Sequence, residues 1–442
     1  MRFNSNLFST PIKNLHKDAN LRWARPEDHQ AHRGEFSKDR DRILYSKSFL
    51  RMRGKTQVFM LQNNDYIRTR MTHTLEVNQI AKTIAIALCQ NVELVEAIAL
   101  GHDVGHTPFG HIGERTLRDI LENDDDTPTG EKGFKHNLQA LRLLCDLEKG
   151  ADYPDIKGLN LTKYVLWGIA HHSSIKRITE RDQEENVIIK TENPIYDNYL
   201  NSINNYWSFE GLIVALADEI AQRHHDIEDS LQYGVVTRNT IIEKLAEFQK
   251  LFGKADKKTF IKLKNGIDSL SDPVFASVYS RLVVNIYVVN AITKTRDNLR
   301  TLYQKYNINS QNDFADVKLD IPEEDYKKVV SFSDELTQID NLFQNFLKTS
   351  VLSSYSAQAM DGKGEYIIRK LYSAFSNNPR QLPDTAIASF CEHIDIPFER
   401  ASFNNYVEDN KAILHRCIID YIGGMTDRYA YDEYDRLYGT RF

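Results

Sequence analysis

The sequence predicts an all-α fold, and three observations carry that reading. Glycine and proline are scarce, 20 and 11 in 442 residues, against roughly 7% and 5% in average proteins. Apolar residues recur at helical spacing along most of the chain. No alternation of strand-like and helix-like segments marks a βαβ unit. The cysteines Cys89, Cys145, Cys391 and Cys417 are widely spaced and lack a CxxC pair, so free thiols in a reducing, cytoplasmic setting are expected. A net charge of −6 argues against a surface that is basic throughout. The stretch MRFNSNLFSTPIKNLHKD has no apolar h-region, and no run approaches about 18 apolar residues, so neither secretion nor a membrane span is expected.

Residues 1–40 are polar, contain Pro11 and Pro26, and read as an arm laid over a core. Helical patterning begins at Asp41. In THTLEVNQIAKTIAIALCQ, the apolar Val77, Ile80, Ile84, Ala87 and Leu88 fall on one face. A second helix, VELVEAIALGHD, delivers His102 and Asp103 at its C-terminal end. ENDDDTPTGEKG reads as an acidic turn, and HNLQALRLLCDLE as a third helix with Leu138, Leu141 and Leu144 on one side. SFEGLIVALADEIAQRHHDIEDSL is apolar nearly all round from Leu212 to Ala221, which predicts burial. Amphipathic helices continue past Gly234 to Tyr438, with NNPRQLPD as the clearest break. The expected division is an arm (1–40), a metal-binding core (41–235) and a C-terminal helical region (236–442).

Two features point to chemistry. The segment GHDVGHTPFGHIGE concentrates histidine and glycine in an otherwise glycine-poor chain. Asp218 sits in an apolar helix, where an unpaired carboxylate would cost several kcal/mol to bury. It calls for a cation, and His73, His102 and Asp103 offer complementary donors. Two imidazoles and two carboxylates suit Mn, Fe, Ni, Zn or, less comfortably, Mg. Taken singly, each residue has a plainer explanation: a capping or core histidine, a helix-end dipeptide, a salt bridge from Asp218 to an arginine. The order H…HD…D, with HD inside a Gly/His-rich turn, favours the metal.

The chain resembles the HD superfamily and, within it, the deoxynucleoside triphosphate triphosphohydrolases, the dGTPase-like proteins. The resemblance rests on KDRDRILYSKSFLRMRGKTQVF, RTRMTHTLEV, LGHDVGHTPFGHIGE, HNLQALRLL, LADEIAQRHHDIEDSL and YIGGMTDRYA, which follow in the family's order. It implies an HD-domain helical bundle whose additional C-terminal helices complete the nucleotide site and oligomer contacts. It implies that His73, His102, Asp103 and Asp218 bind a divalent metal, Mn²⁺ or Mg²⁺ foremost. His106, His111 and Glu114 would be catalytic, with His111 and Glu114 on one helical face as the acid/base pair. Gly105, Gly110 and Gly113 would permit tight turning and close approach to phosphates. Arg51, Arg53, Lys55, Gln57, Val58, His136, Asn137, His172, Asp226 and Arg428 would contact nucleotide. Gln222 replaces the tyrosine that better-known dGTPases carry beneath the sugar.

The implied reaction is hydrolysis of a dNTP to deoxynucleoside and triphosphate in dNTP pool control. A second, activating nucleotide and a homo-oligomer, a hexamer by resemblance, are also implied. Two other readings stand beside it. One is an HD phosphohydrolase for a nucleoside monophosphate, a cyclic nucleotide or (p)ppGpp, against which HTPFGHIGE and KTQVF speak. The other is a non-catalytic nucleotide sensor or binder of single-stranded nucleic acid, supported by KADKKTFIKLKNG, although such runs are usually a solvated helix face.

Overall fold

A computed structural model describes residues 21–25, 27, 33–57, 68–123, 133–149, 156–181, 187–232, 234, 236–265, 270–352 and 355–439. Val58, the first twenty residues and residues 124–132 of the acidic turn lie outside them. The described residues are all-α, with 19 α-helices. One antiparallel ribbon, Arg177–Arg181 paired with Val187–Thr191, is a departure that the sequence did not signal.

Helix starts in the core follow their capping chemistry. Arg70–Ala87 opens with a reciprocal capping box between Thr69 and Thr72, which puts His73 in its first turn. Val92–Gly101 is capped by Asn91, whose side chain accepts from the Glu93 and Leu94 amides. Its last turn runs directly into His102. Phe209–Gln232 packs against Arg70–Ala87, Val92–Gly101 and Lys163–His171. Ile213, Val214, Ala217, Ile220 and Ala221 are fully buried there.

The apolar side chains gather in two cores. The first runs from Phe36 through the HD-bearing helices to Phe343. The second joins Phe109, Ile112, Leu117 and Phe134 to Ile367, Ile368, Ile418, Ile422 and Ala430 of the C-terminal helices. Residues up to Phe343 thus pack with the metal-bearing helices, so the segment 236–442 is shared between the cores. The turn after His102–Asp103 lies where they meet.

The expected arm ends sooner than residue 40. Helix Glu35–Tyr45 begins inside it, and Arg22 is buried against Glu35, Asp39 and the Asn160 carbonyl. A buried guanidinium demands these partners, and they tie the segment into the core. Helix Asp272–Lys305 contains a stretch long and apolar enough to cross a membrane by length and composition. Here Phe275, Tyr279, Leu282, Ile286 and Tyr287 are buried in the first core. In helix Lys254–Asn265, Phe260 and Leu263 face inward while Lys257, Lys258, Lys262 and Lys264 are exposed, the solvated face expected of such a run.

Candidate metal centre and hydrolytic cleft

His73, His102 and Asp103 present donor atoms within 4.8 Å of one another. Asp218 Oδ1 lies 2.8 Å from His73 Nε2 and 3.8 Å from His102 Nε2. The structure therefore brings the H…HD…D set together from three helices. His102 Nδ1 donates to the Ala99 carbonyl at 2.7 Å, which leaves Nε2 as the nitrogen available to a metal. That atom is buried and has no hydrogen-bond partner. A buried imidazole lone pair among carboxylates is what a divalent cation satisfies, and the donor set fits one.

Asp218 departs from its expected full burial: its side chain is 25% exposed. A solvent-facing side on one ligand leaves room for water or substrate. Burial would raise its pKa, but the His73 hydrogen bond and the neighbouring His102 hold the carboxyl well below its ordinary range. Asp103 is held low in the same way, with His106, His102 and Arg70 outweighing burial. Its Oδ2 accepts from Arg70 Nη1 at 3.0 Å, and its Oδ1 lies 3.0 Å from His106 Nε2. Arg70 went unrecognised in the sequence. Its signal was a cation three residues before His73, one turn away on the same helix.

Beside the metal set lies a second constellation. His106 stacks on His136 with ring centroids 3.8 Å apart. Glu114 Oε2 accepts from His136 Nδ1 at 2.7 Å, and His136 Nε2 sits 3.1 Å from His172 Nε2. His172 spends its Nδ1–H on the Ile169 carbonyl. Burial, then His102 and His136, push its pKa down to about 3, so Nε2 can only accept. Burial would raise Glu114, yet His136 holds it down at about 2, so it is ionised. His136 thus donates from Nδ1 to Glu114 and turns Nε2 towards the His172 acceptor.

The ring bonded to Glu114 differs from the expected His111 partner. The carboxylate 22 residues from His136 in sequence bonds to that ring, while His111 is exposed at the rim, its ring centre 6.0 Å from that of His106. Burial of its surroundings and the charge of Arg70 lower the His111 pKa rather than raise it.

The turn owes its glycines to packing. A Cβ at Gly105 would collide with the His136 carbonyl and the Ala140 amide, and one at Gly113 with the Pro108 carbonyl. Phe109 and Gly110 both have φ +62°, which is strained for phenylalanine. Asp427 secures this geometry: Oδ1 accepts from the Phe109 amide at 2.8 Å, and Oδ2 from the Thr56 amide at 2.9 Å and the Thr56 hydroxyl.

The remaining candidates divide. Gln57, half-buried near Gly110, keeps a buried Oε1 without a partner. Gln222 and Asp226 follow Asp218 along the helix as half-buried side chains, and burial pushes Asp226 up to about 6. Arg51 bonds Ser48 Oγ at 2.9 Å, and Arg53 is exposed. Lys55 is buried and donates to the His106 and Gly423 carbonyls, so it braces the turn. Asn137 donates to the Ala170 and Ser173 carbonyls and ties two helices together. Arg428 projects outward, its side chain 91% exposed and 3.7 Å from Asp432 rather than paired with Asp427. A cavity of about 1110 Å³ lies elsewhere, between Trp23, Tyr45, Lys47, Arg142, Tyr199 and His393.

Residues 70–223 match the HD domain family, and residues 330–436 the phosphohydrolase-associated domain. The chain is 33% identical over 417 residues to the deoxyguanosinetriphosphate triphosphohydrolase-like (dGTPase-like) protein of Geobacter sulfurreducens, spanning 93% of this chain and 91% of that one. The chain belongs to the dGTPase-like family of HD-domain proteins. Similarly named dGTPase-like proteins of Leptospira interrogans and Thiobacillus denitrificans are each 32% identical, spanning 93% of this chain and 91% and 92% of theirs. As an HD phosphohydrolase of this family, the chain is a hydrolase whose His/Asp cluster can hold a divalent metal. The HD match contains all four metal-set residues, and the associated-domain match contains Asp427.

Proposed function

We propose that this protein hydrolyses a deoxynucleoside triphosphate to the deoxynucleoside and inorganic triphosphate, and so acts in dNTP pool control. The observation that carries the reading is the Glu114–His136 pair, one stacked ring away from the HD metal set. A bound divalent ion, Mn²⁺ or Mg²⁺ foremost, would polarise the phosphoryl group and lower the pKa of a water. His136 holds a proton at Nε2 or Nδ1 for the departing 5′ oxygen, and ionised Glu114 stabilises the imidazolium until transfer. His111, at the rim, and Arg70, bridged to Asp103, supply further donors to phosphate oxygens. Attack at the α-phosphorus releases the triphosphate as one unit.

A second, activating nucleotide is part of this reading, and the cavity beside Trp23 and Tyr45, which holds Arg142 and Lys47 together with Asp146 and Glu148, is the place to look for it. Exposed Tyr366, Tyr429, Tyr431 and Tyr438 on the C-terminal helices support an oligomer, a hexamer in our reading. The four unpaired thiols support a cytoplasmic setting.

The test is incubation of the protein with each dNTP, alone and in pairs, with Mg²⁺ or Mn²⁺, followed by chromatography. Deoxynucleoside and triphosphate are the expected products. Primary release of a dNDP or dNMP overturns the reaction.

A further inference from the structure

Behind His73, away from the cleft, lies a chain of polar groups that the reaction does not use. His73 Nδ1 is 3.1 Å from His225 Nδ1. His225 Nε2 bonds Glu76 Oε2, which His224 Nε2 also approaches at 3.3 Å. Arg68 Nε reaches the other Glu76 oxygen at 3.3 Å. His225 is fully buried, whereas the Glu76 side chain is 36% exposed.

With a metal on His73 Nε2, the hydrogens in this chain have one consistent arrangement. Glu76, facing Arg68 and two imidazoles, is a carboxylate and can only accept, so His225 donates to it from Nε2. A metal on His73 Nε2 leaves that ring's hydrogen on Nδ1, 3.1 Å from His225 Nδ1. His225 Nδ1 is then the acceptor, and His73 donates Nδ1–H to it. His73 Nε2 lies 2.8 Å from Asp218 Oδ1, where the two would share the metal.

We propose that His225 and Glu76 form a positioning relay that holds His73 in its Nδ1–H tautomer and so sets the affinity of the metal centre. The relay spends His225 Nε2–H on Glu76, so Glu76, His224 and His225 are a support for the centre and not a second metal site, despite their ligand-like grouping. Outer partners of metal-bound histidines typically change metal affinity by about 10–100-fold when removed.

The proposal rests on the metal centre proper, and the experiment separates the two. Full-length apo-protein is titrated with Mn²⁺ alone, with the free ion followed by electron paramagnetic resonance, for wild type, His225→Asn, His225→Phe and Glu76→Ala. Asparagine keeps an acceptor oxygen close to the Nδ1 position, whereas phenylalanine keeps the ring and the packing but cannot accept. We expect His225→Asn to bind within about 3-fold of wild type, and His225→Phe and Glu76→Ala to bind about 10-fold more weakly or worse. Turnover of the weak variants should recover at saturating Mn²⁺. A merely structural role for His225 reverses the order, with buried phenylalanine tolerated better than asparagine, and that order overturns the relay. Should His225→Phe not fold, Glu76→Ala, at a partly exposed position, decides: wild-type affinity there overturns the relay too. Wild-type protein that binds no Mn²⁺ overturns the metal centre instead.

Discussion

Two chains of carboxylate, imidazole and imidazole flank the metal set, and their likeness makes their difference instructive. On the cleft side run Glu114, His136 and His172; on the far side run Glu76, His225 and His73. In the first, the terminal ring is tied to a backbone carbonyl and can only accept, so the middle ring turns Nε2 towards it. In the second, the terminal ring belongs to the candidate metal set, and the middle ring faces its Nδ1. Similar parts thus serve a proton on one face and a donor atom on the other. What separates them is the group bonded to the last ring.

The comparison breaks most completely at the residue that faces the metal directly. Asp218→Ala should lose bound metal and all hydrolysis while its circular dichroism remains helical; metal analysis beside the product assay checks this. Full activity in a metal-free preparation would falsify the centre. Glu114→Gln tests the proton-storing side, with kcat expected to fall by about 10²–10⁴-fold while Mn²⁺ affinity is unchanged.

The same variant carries a pH signature. The Glu114 carboxyl is depressed from 4.5 to about 2. Its contribution to stability is therefore complete above about pH 4.5 and is lost as pH falls through about 2, a full effect on the order of 3 kcal/mol. Urea midpoints of wild type and Glu114→Gln should differ at pH 7 and converge towards pH 2. A gap that is constant with pH removes the depressed carboxyl from the account.

Smaller effects are expected outside the two chains. Asp427→Ala removes an acceptor for three donors and should lower stability by about 2–3 kcal/mol, read from denaturant unfolding. Its Mn²⁺ affinity should stay close to wild type, because no metal-set residue contacts Asp427. Gln222→Tyr should shift the dNTP-to-rNTP ratio of kcat/KM by about 10-fold towards dNTP, the range of a steric wall. An unchanged ratio means that this position does not read the sugar.

Much of the fold was legible because its signals are local. The caps at Thr69 and Asn91, the apolar faces, and the run from Leu212 to Ala221 each lie within a few turns of chain, and the metal set falls on those elements. The ring bonded to Glu114 was not legible for the same reason. Helical spacing pointed to His111, three residues away, whereas the bonded ring is His136, brought in by a separate helix. Arg70, the His225–Glu76 bond and the Asp427 contacts are likewise tertiary, joining residues 33 to 371 positions apart. Periodicity carries no trace of such pairs. Asp218 was expected to be sealed because its neighbours are apolar, but a helix can bury most of its circumference and still open one residue to a cleft.

The dependence of the 107–110 turn on Asp427 has a consequence in the order of synthesis. A ribosome delivers His73, His102, Asp103 and Asp218 before Asp427 emerges, the last of them about two hundred residues earlier. These four residues and, once Phe343 has followed, the first core around them can therefore assemble on the nascent chain. The left-handed Phe109 and the Lys55 brace to Gly423 must wait for the C-terminal segment. A partly made chain can thus gather its candidate metal set before the turn beside it is fixed, and the complete site waits until translation has almost finished.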